Sequence, residues 1–104
     1  MSLSTHVLDA ALGRPAVGVA VRLTRGDEVL AAVVTDADGR ASGFPDLAAG
    51  DYRLTFDTGG YHAATGQEGF YPEVAVTFTV RDAAAHHHVP LLLSPFAYST
   101  YRGS

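Results

Sequence analysis

The chain has 104 residues, 47% of them hydrophobic, with no cysteine, no tryptophan and no lysine, so seven arginines face eleven Asp and Glu for a net charge of −4. That length suits one domain, residues 1–104, whose core hides roughly two thirds of the unfolded surface. The missing cysteines exclude disulfide, thiolate and iron–sulfur chemistry, the missing lysines exclude Schiff bases, and mild acidity without an arginine cluster argues against nucleic acid.

No apolar run approaches the roughly 20 residues needed to span a bilayer. The N-terminal stretch MSLSTHVLDAA has no basic start and no apolar signal core, which predicts a cytoplasmic protein.

The dominant period is two, the signature of half-buried strands. A first strand is predicted at about 4–9. In 17–24, Val17, Val19, Val21 and Leu23 alternate with Gly18, Ala20, Arg22 and Thr24, predicting a second. The turn Arg25-Gly26-Asp27 leads to a third at 28–35, and Asp36-Ala37-Asp38-Gly39 to a fourth at 41–45. Tyr52, Leu54 and Phe56 oppose Arg53, Thr55 and Asp57 in a fifth at 52–57. Residues 58–66, TGGYHAATG, are too small and polar for a core strand, so a short helix or a loop is expected there. Val74, Val76, Phe78 and Val80 alternate with Ala75, Thr77 and Thr79 at 74–80, and two more strands are expected at 86–93 and 96–102. Short strands at this spacing predict an all-β, two-sheet antiparallel sandwich of about eight strands.

Chemistry is confined to His, Arg, Tyr, Ser and carboxylates. His86, His87 and His88 are consecutive. On a strand His86 and His88 share a face, roughly 7 Å apart, while His87 points the other way. On spacing alone such a pair reads first as a solvated patch or an adventitious chelate, and as part of a site only with a third partner. His6, in THVLD, is a possible partner and also fits a structural role. Gly39 supplies a positive φ for a tight turn, so Arg40 opens the next strand in a set direction, facing either a site or a nearby Asp. DADG is a poor calcium loop, because no EF-hand continuation follows. The terminal YSTYRGS is too polar for a core strand.

Together LSTHVLD, GRPA, TDADGR, FYPE, HVPLLLSP and the closing YRGS resemble the 5-hydroxyisourate hydrolase family of transthyretin-like proteins, nearly end to end. The resemblance implies a transthyretin-like sandwich with one short helix near 58–66, assembled as a homotetramer (a dimer of dimers) with active sites in an intersubunit channel. It implies that His6, Arg40 and His88 are catalytic. It also implies that His6, Arg40, Tyr101 and Ser104 bind substrate, joined by His86, which shares the face of His88. The implied reaction opens 5-hydroxyisourate at its N1–C6 amide to 2-oxo-4-hydroxy-4-carboxy-5-ureidoimidazoline in urate breakdown, without metal or cofactor. His87 stands where the family usually has Tyr, and alternation turns it away from the pocket.

Two other readings share part of the pattern. Residues 13–61 also resemble carboxypeptidase-regulatory-like sandwich modules, which are non-catalytic and have no need for the histidine strand or YRGS. A transthyretin-like carrier would share the tetramer but is expected to hold apolar or hydroxyl residues at the positions of His6, Arg40 and His88.

Overall fold

The computed structural model describes residues 3–104, so the first two residues of the N-terminal stretch read above lie outside it. Its strands are β1 (Leu3–Asp9), β2 (Arg14–Pro15), β3 (Ala20–Arg25), β4 (Glu28–Val34), β5 (Arg40–Ala41), β6 (Gly50–Phe56), β7 (Val74–Val80), β8 (His87–Ser94) and β9 (Ala97–Thr100). One helix, α1 (Thr58–Ala64), follows β6. One sheet runs β2-β1-β8-β9 with β5 added to β1, and the other runs β4-β3-β6-β7.

The core is the layer between the sheets. Leu3 and Val7 of β1 and Val89, Leu91 and Leu93 of β8 meet Val21 and Leu23 of β3 and Leu54 and Phe56 of β6, all buried. Each such side chain taken out of water contributes about 1.5–3 kcal/mol, so alternation along the strands is what closes the sandwich.

Among the differences from the expected strand boundaries, three bear on the core or the site. β3 begins at Ala20, not 17, because Gly18 adopts φ 80° and breaks the alternation. Val17 is consequently 53% exposed rather than part of the core. The strand expected at 41–45 shrinks to β5: Phe44 and Leu47 are buried, but their spacing of three suits a loop that plugs the core, not a ladder. β9 ends at Thr100, although Gly103 still bridges to His88 in the same antiparallel register.

The two sheets are antiparallel as expected, save for one strand pair. Every pair is antiparallel except β1 with β8, which run parallel. These strands come from opposite ends of the chain, so no hairpin ties their directions, and a period of two is silent on direction.

Helix α1 starts at Asp57, whose Oδ1 accepts from Gly60 N at 3.0 Å and satisfies one of the free amides of the first turn. Tyr61 anchors the helix to β1 by donating to Asp9 Oδ2 at 2.6 Å. Asp9 is buried and also accepts from Gln67 Nε2 at 3.0 Å and Leu12 N at 2.8 Å. Burial by itself would raise the Asp9 pKa, but the donors Tyr61, Leu12, Gln67 and Ala11 outweigh it and hold the carboxyl below its ordinary value. Burial, then the hydrogen bond to Asp9 and its charge, push the Tyr61 phenol up to about 12 against the opposing Arg14. Among the described residues, no helix is long and apolar enough to cross a membrane.

Candidate active site

The outer face of the first sheet gathers the polar residues. In β1, Leu3, Thr5, Val7 and Asp9 are buried, leaving Ser4, His6 and Leu8 half-buried on the other side. β5 sets Arg40 opposite His6. Across β1, the parallel register sets Ser4 opposite His88 and His6 opposite Pro90. Gly103 continues the row beyond His88. Segments near residues 5, 40, 88 and 103 therefore meet in adjacent positions of one sheet.

The turn before β5 is built to place Arg40. Asp36 Oδ1 accepts from Asp38 N at 2.9 Å and from Arg40 N at 3.0 Å. Gly39 adopts φ 73°, and its carbonyl accepts from Val7 N at 2.7 Å. A Cβ on Gly39 would collide with the Val7 carbonyl oxygen, so both the conformation and the close approach require glycine. The same turn orients His6, whose Nε2 lies 2.9 Å from Asp38 O. A carbonyl only accepts, so Nε2–H donates to it, a tautomer that in a neutral ring leaves Nδ1 as an acceptor. Arg40 is exposed.

His88 is half-buried, with Nδ1 2.8 Å from Ser4 Oγ. The same hydroxyl lies 3.1 Å from His86 Nε2, and the two imidazoles stack with centroids 6.4 Å apart and planes inclined by 17°. Burial first, then the charges of Arg40, His6 and His86, lower the His88 pKa below the usual histidine value, with Ser4 opposing. Those three groups thus bear on one imidazole. Gly103 donates its N–H to His88 O at 2.9 Å and approaches the ring so closely that a Cβ there would meet His88 Cδ2.

His87 turns to the opposite side of the strand, buried, with Nδ1 donating to Ala85 O at 3.0 Å. Tyr101 is exposed at a crevice of about 260 Å³, which it lines with Val76, Phe78, His87, His88 and Thr100. Ser104 is exposed beside Gly103. The fifth histidine, His62, lies apart from the others on α1; it is buried, and neither ring nitrogen has a partner among the described residues. Among the described residues, no cluster of three or more His, Cys, Asp or Glu could hold a metal ion.

Sequence reasoning overlooked Ser4. Its position two residues before His6 already put it on the His6 face by alternation, but its contact with His86 and His88 depends on the parallel register. A larger cavity of about 410 Å³ lies on the second sheet, lined by Arg22, Val34, Thr55, Asp57 and Glu73, and includes none of the predicted site residues. The histidine–arginine face is by contrast an open sheet surface, with side chains on one wall only.

Comparison with known proteins finds hydrolases and transthyretins on one fold. Residues 3–103 match the model of the HIUase/Transthyretin family. The chain is 48% identical over 112 residues to 5-hydroxyisourate hydrolase of Caulobacter vibrioides, covering 98% of this chain and 97% of that protein. The structure of Klebsiella pneumoniae 5-hydroxyisourate hydrolase superposes with a TM-score of 0.92 at 44% identity, over all of both chains. Transthyretin from Sparus aurata superposes with a TM-score of 0.91 at 33% identity, covering 97% of this chain and 95% of that one. Backbone similarity is therefore nearly equal for hydrolase and transthyretin, and the side chains on the face must separate them.

Proposed function

Because the chain belongs to the HIUase/Transthyretin family, and one face of its first sheet carries His6, Arg40 and His88, we propose that it hydrolyses 5-hydroxyisourate at the ring amide. The observation that carries this reading is the register that sets Arg40 opposite His6 and, two residues away on the same face of β1, sets Ser4 opposite His88 and within bonding reach of both His86 and His88. A carrier has no need of two imidazoles and a guanidinium at one point, whereas amide hydrolysis needs a base for water and a cation for the carbonyl oxygen.

In the proposed mechanism a water molecule sits between His6 and His88. His88 is the base: its lowered pKa keeps it neutral, with a ring nitrogen able to accept a proton near pH 7. His6, held by Asp38 O, turns its Nδ1 lone pair toward the water and orients it. The hydroxide adds to the amide carbon, and Arg40 stabilises the oxyanion that develops on the carbonyl oxygen. The ring C–N bond then breaks as His88 returns the proton to the leaving nitrogen. His86, Tyr101 and Ser104 hold the flat, hydrogen-bonding ring at the edges of the site. No metal or cofactor takes part in these steps.

The proposal includes assembly of residues 1–104, a single domain, into a homotetramer whose intersubunit channel supplies the missing wall. The open candidate face supports it, as do β7 and β9, which end their sheets, and the exposed Phe96, Tyr98 and Tyr101 beside β9. Sedimentation analysis tests the assembly. The same reading carries a cytoplasmic location, which cell fractionation tests.

The activity is tested by generating 5-hydroxyisourate from urate with urate oxidase and following the decay of its near-ultraviolet absorbance. The protein should accelerate decay well beyond the spontaneous rate. Arg40→Lys keeps the charge but loses the planar fork and should lower kcat by about 10²–10³-fold with unchanged melting. No acceleration by the wild type would refute the activity, and near-normal turnover by Arg40→Lys would remove Arg40 from the mechanism.

A further inference from the structure

The hydroxyl of Ser4 is shared between two histidines. Its Oγ lies 2.8 Å from His88 Nδ1 and 3.1 Å from His86 Nε2. A hydroxyl has one proton to give and lone pairs to receive, so when both rings are neutral it donates to one imidazole and accepts from the other. Only two arrangements satisfy all three groups. In the first, His88 Nδ1–H donates to Ser4, and Ser4 O–H donates to His86 Nε2. In the second, both bonds reverse. The first leaves His88 Nε2 bare, as a base requires; the second puts a proton on it, as an acid requires.

We propose that Ser4 is a positioning residue that relays the catalytic proton between His88 and His86. The inference rests on the reading of His88 as the general base. As His88 Nε2 takes a proton from water, the Nδ1–H bond breaks toward Ser4 Oγ, and the Ser4 proton passes to His86 Nε2. The products of this step are hydroxide bonded to the amide carbon, a neutral His88 of the opposite tautomer, and a His86 imidazolium. When the ring C–N bond breaks, His88 Nε2–H protonates the leaving nitrogen, and the relay runs back from His86 through Ser4 to His88 Nδ1. Every proton returns to its starting atom.

The fold favours this assignment in two ways. His88 is half-buried and His86 is exposed, so a positive charge passed from the first ring to the second moves to where water can solvate it. The rings are also kept in place: Gly103 backs the His88 ring, and the stacking of His86 on His88 keeps both nitrogens within reach of one hydroxyl. Ser4 is itself placed by the β1–β8 register, directly opposite His88.

The test uses the full-length protein with Ser4→Ala, Ser4→Thr, His86→Gln and His88→Gln, assayed with 5-hydroxyisourate, and nitrogen-15 NMR of the histidine rings. In the wild type at neutral pH, His88 should carry its proton on Nδ1; in Ser4→Ala it should revert to the Nε2–H form that free imidazole side chains favour. Ser4→Ala should lose at least about tenfold in kcat, within the roughly 10²–10⁴-fold that proton transfer supplies, with KM little changed. Ser4→Thr retains the hydroxyl and should recover most of that loss. Adding His86→Gln to Ser4→Ala should cost far less than His86→Gln alone, as expected for two members of one chain of bonds. An unchanged kcat in Ser4→Ala, or an unchanged His88 tautomer, overturns the relay, even with an active wild type and a crippled His88→Gln. An active His88→Gln overturns the base assignment and the relay together.

Discussion

Replacing Gly103 by alanine isolates the contact between the C-terminal tetrapeptide and His88. An alanine Cβ at that position would lie 2.5 Å from His88 Cδ2, 3.2 Å from Cγ and 3.4 Å from Cβ. Carbon atoms settle at about 3.5–4.0 Å, so the ring and the tetrapeptide must separate by about 1 Å. The bond from Gly103 N to His88 O holds the two backbones together, which directs the adjustment into the imidazole. Misplacing a catalytic group by about 1 Å costs on the order of 10²-fold in rate, or about 2.7 kcal/mol of barrier. The assay is decay of 5-hydroxyisourate absorbance, paired with thermal melting. We expect kcat to fall by about that factor while the melting temperature stays close to wild type, because Gly103 lies outside the inter-sheet core. Wild-type turnover in Gly103→Ala would show that the tetrapeptide does not set the position of His88. A large drop in melting temperature would assign the loss to unfolding instead.

Two further predictions concern pH. The acid limb of kcat/KM should lie below the usual histidine value, because burial and the charges of Arg40, His6 and His86 depress His88. Arg40→Gln removes one of those charges, so the limb in the residual activity should move to higher pH; movement to lower pH, or none, would refute the coupling. The Asp9–Tyr61 anchor bears on stability. A carboxyl held below its unfolded pKa adds stability above that value and loses it as pH falls through the folded pKa. Tyr61→Phe should therefore cost about 1.5–3 kcal/mol at pH 7 by urea denaturation, and the gap to wild type should narrow at pH 3. The phenol, raised from 10.0 to about 12, works in the opposite sense: its stabilisation is complete below pH 10 and is lost as pH rises through 12. An equal gap at pH 7 and pH 3 would contradict the ionised anchor.

Much of the sandwich is legible from alternation alone. Val21 and Leu23, Leu54 and Phe56, and Leu91 and Leu93 are each two apart and all buried, because a pleated strand with one face on a core has no other way to hide them. The same rule turns His87 away from His88 and places Ser4 with His6. It fails at Val17, where a glycine with positive φ interrupts the strand, and at Phe44 and Leu47, which enter the core from a loop. Family likeness in THVLD, TDADGR and YRGS singles out His6, Arg40 and the tetrapeptide without saying how they meet.

Their meeting was decided by tertiary structure. Period-two patterning specifies which face a side chain takes, but neither the direction of a neighbouring strand nor its register, since both depend on contacts between distant segments. The parallel pairing of β1 with β8 sets Ser4 against His88, and the short β5 sets Arg40 against His6. The sequence by itself thus determined a small lysine-free, cysteine-free sandwich with a short list of possible chemical groups. The pairing of its first strand with the eighth and the fifth determined that two imidazoles, a hydroxyl and a guanidinium share one face, because hydrogen-bond register between segments remote in the chain is a property of the folded sheet.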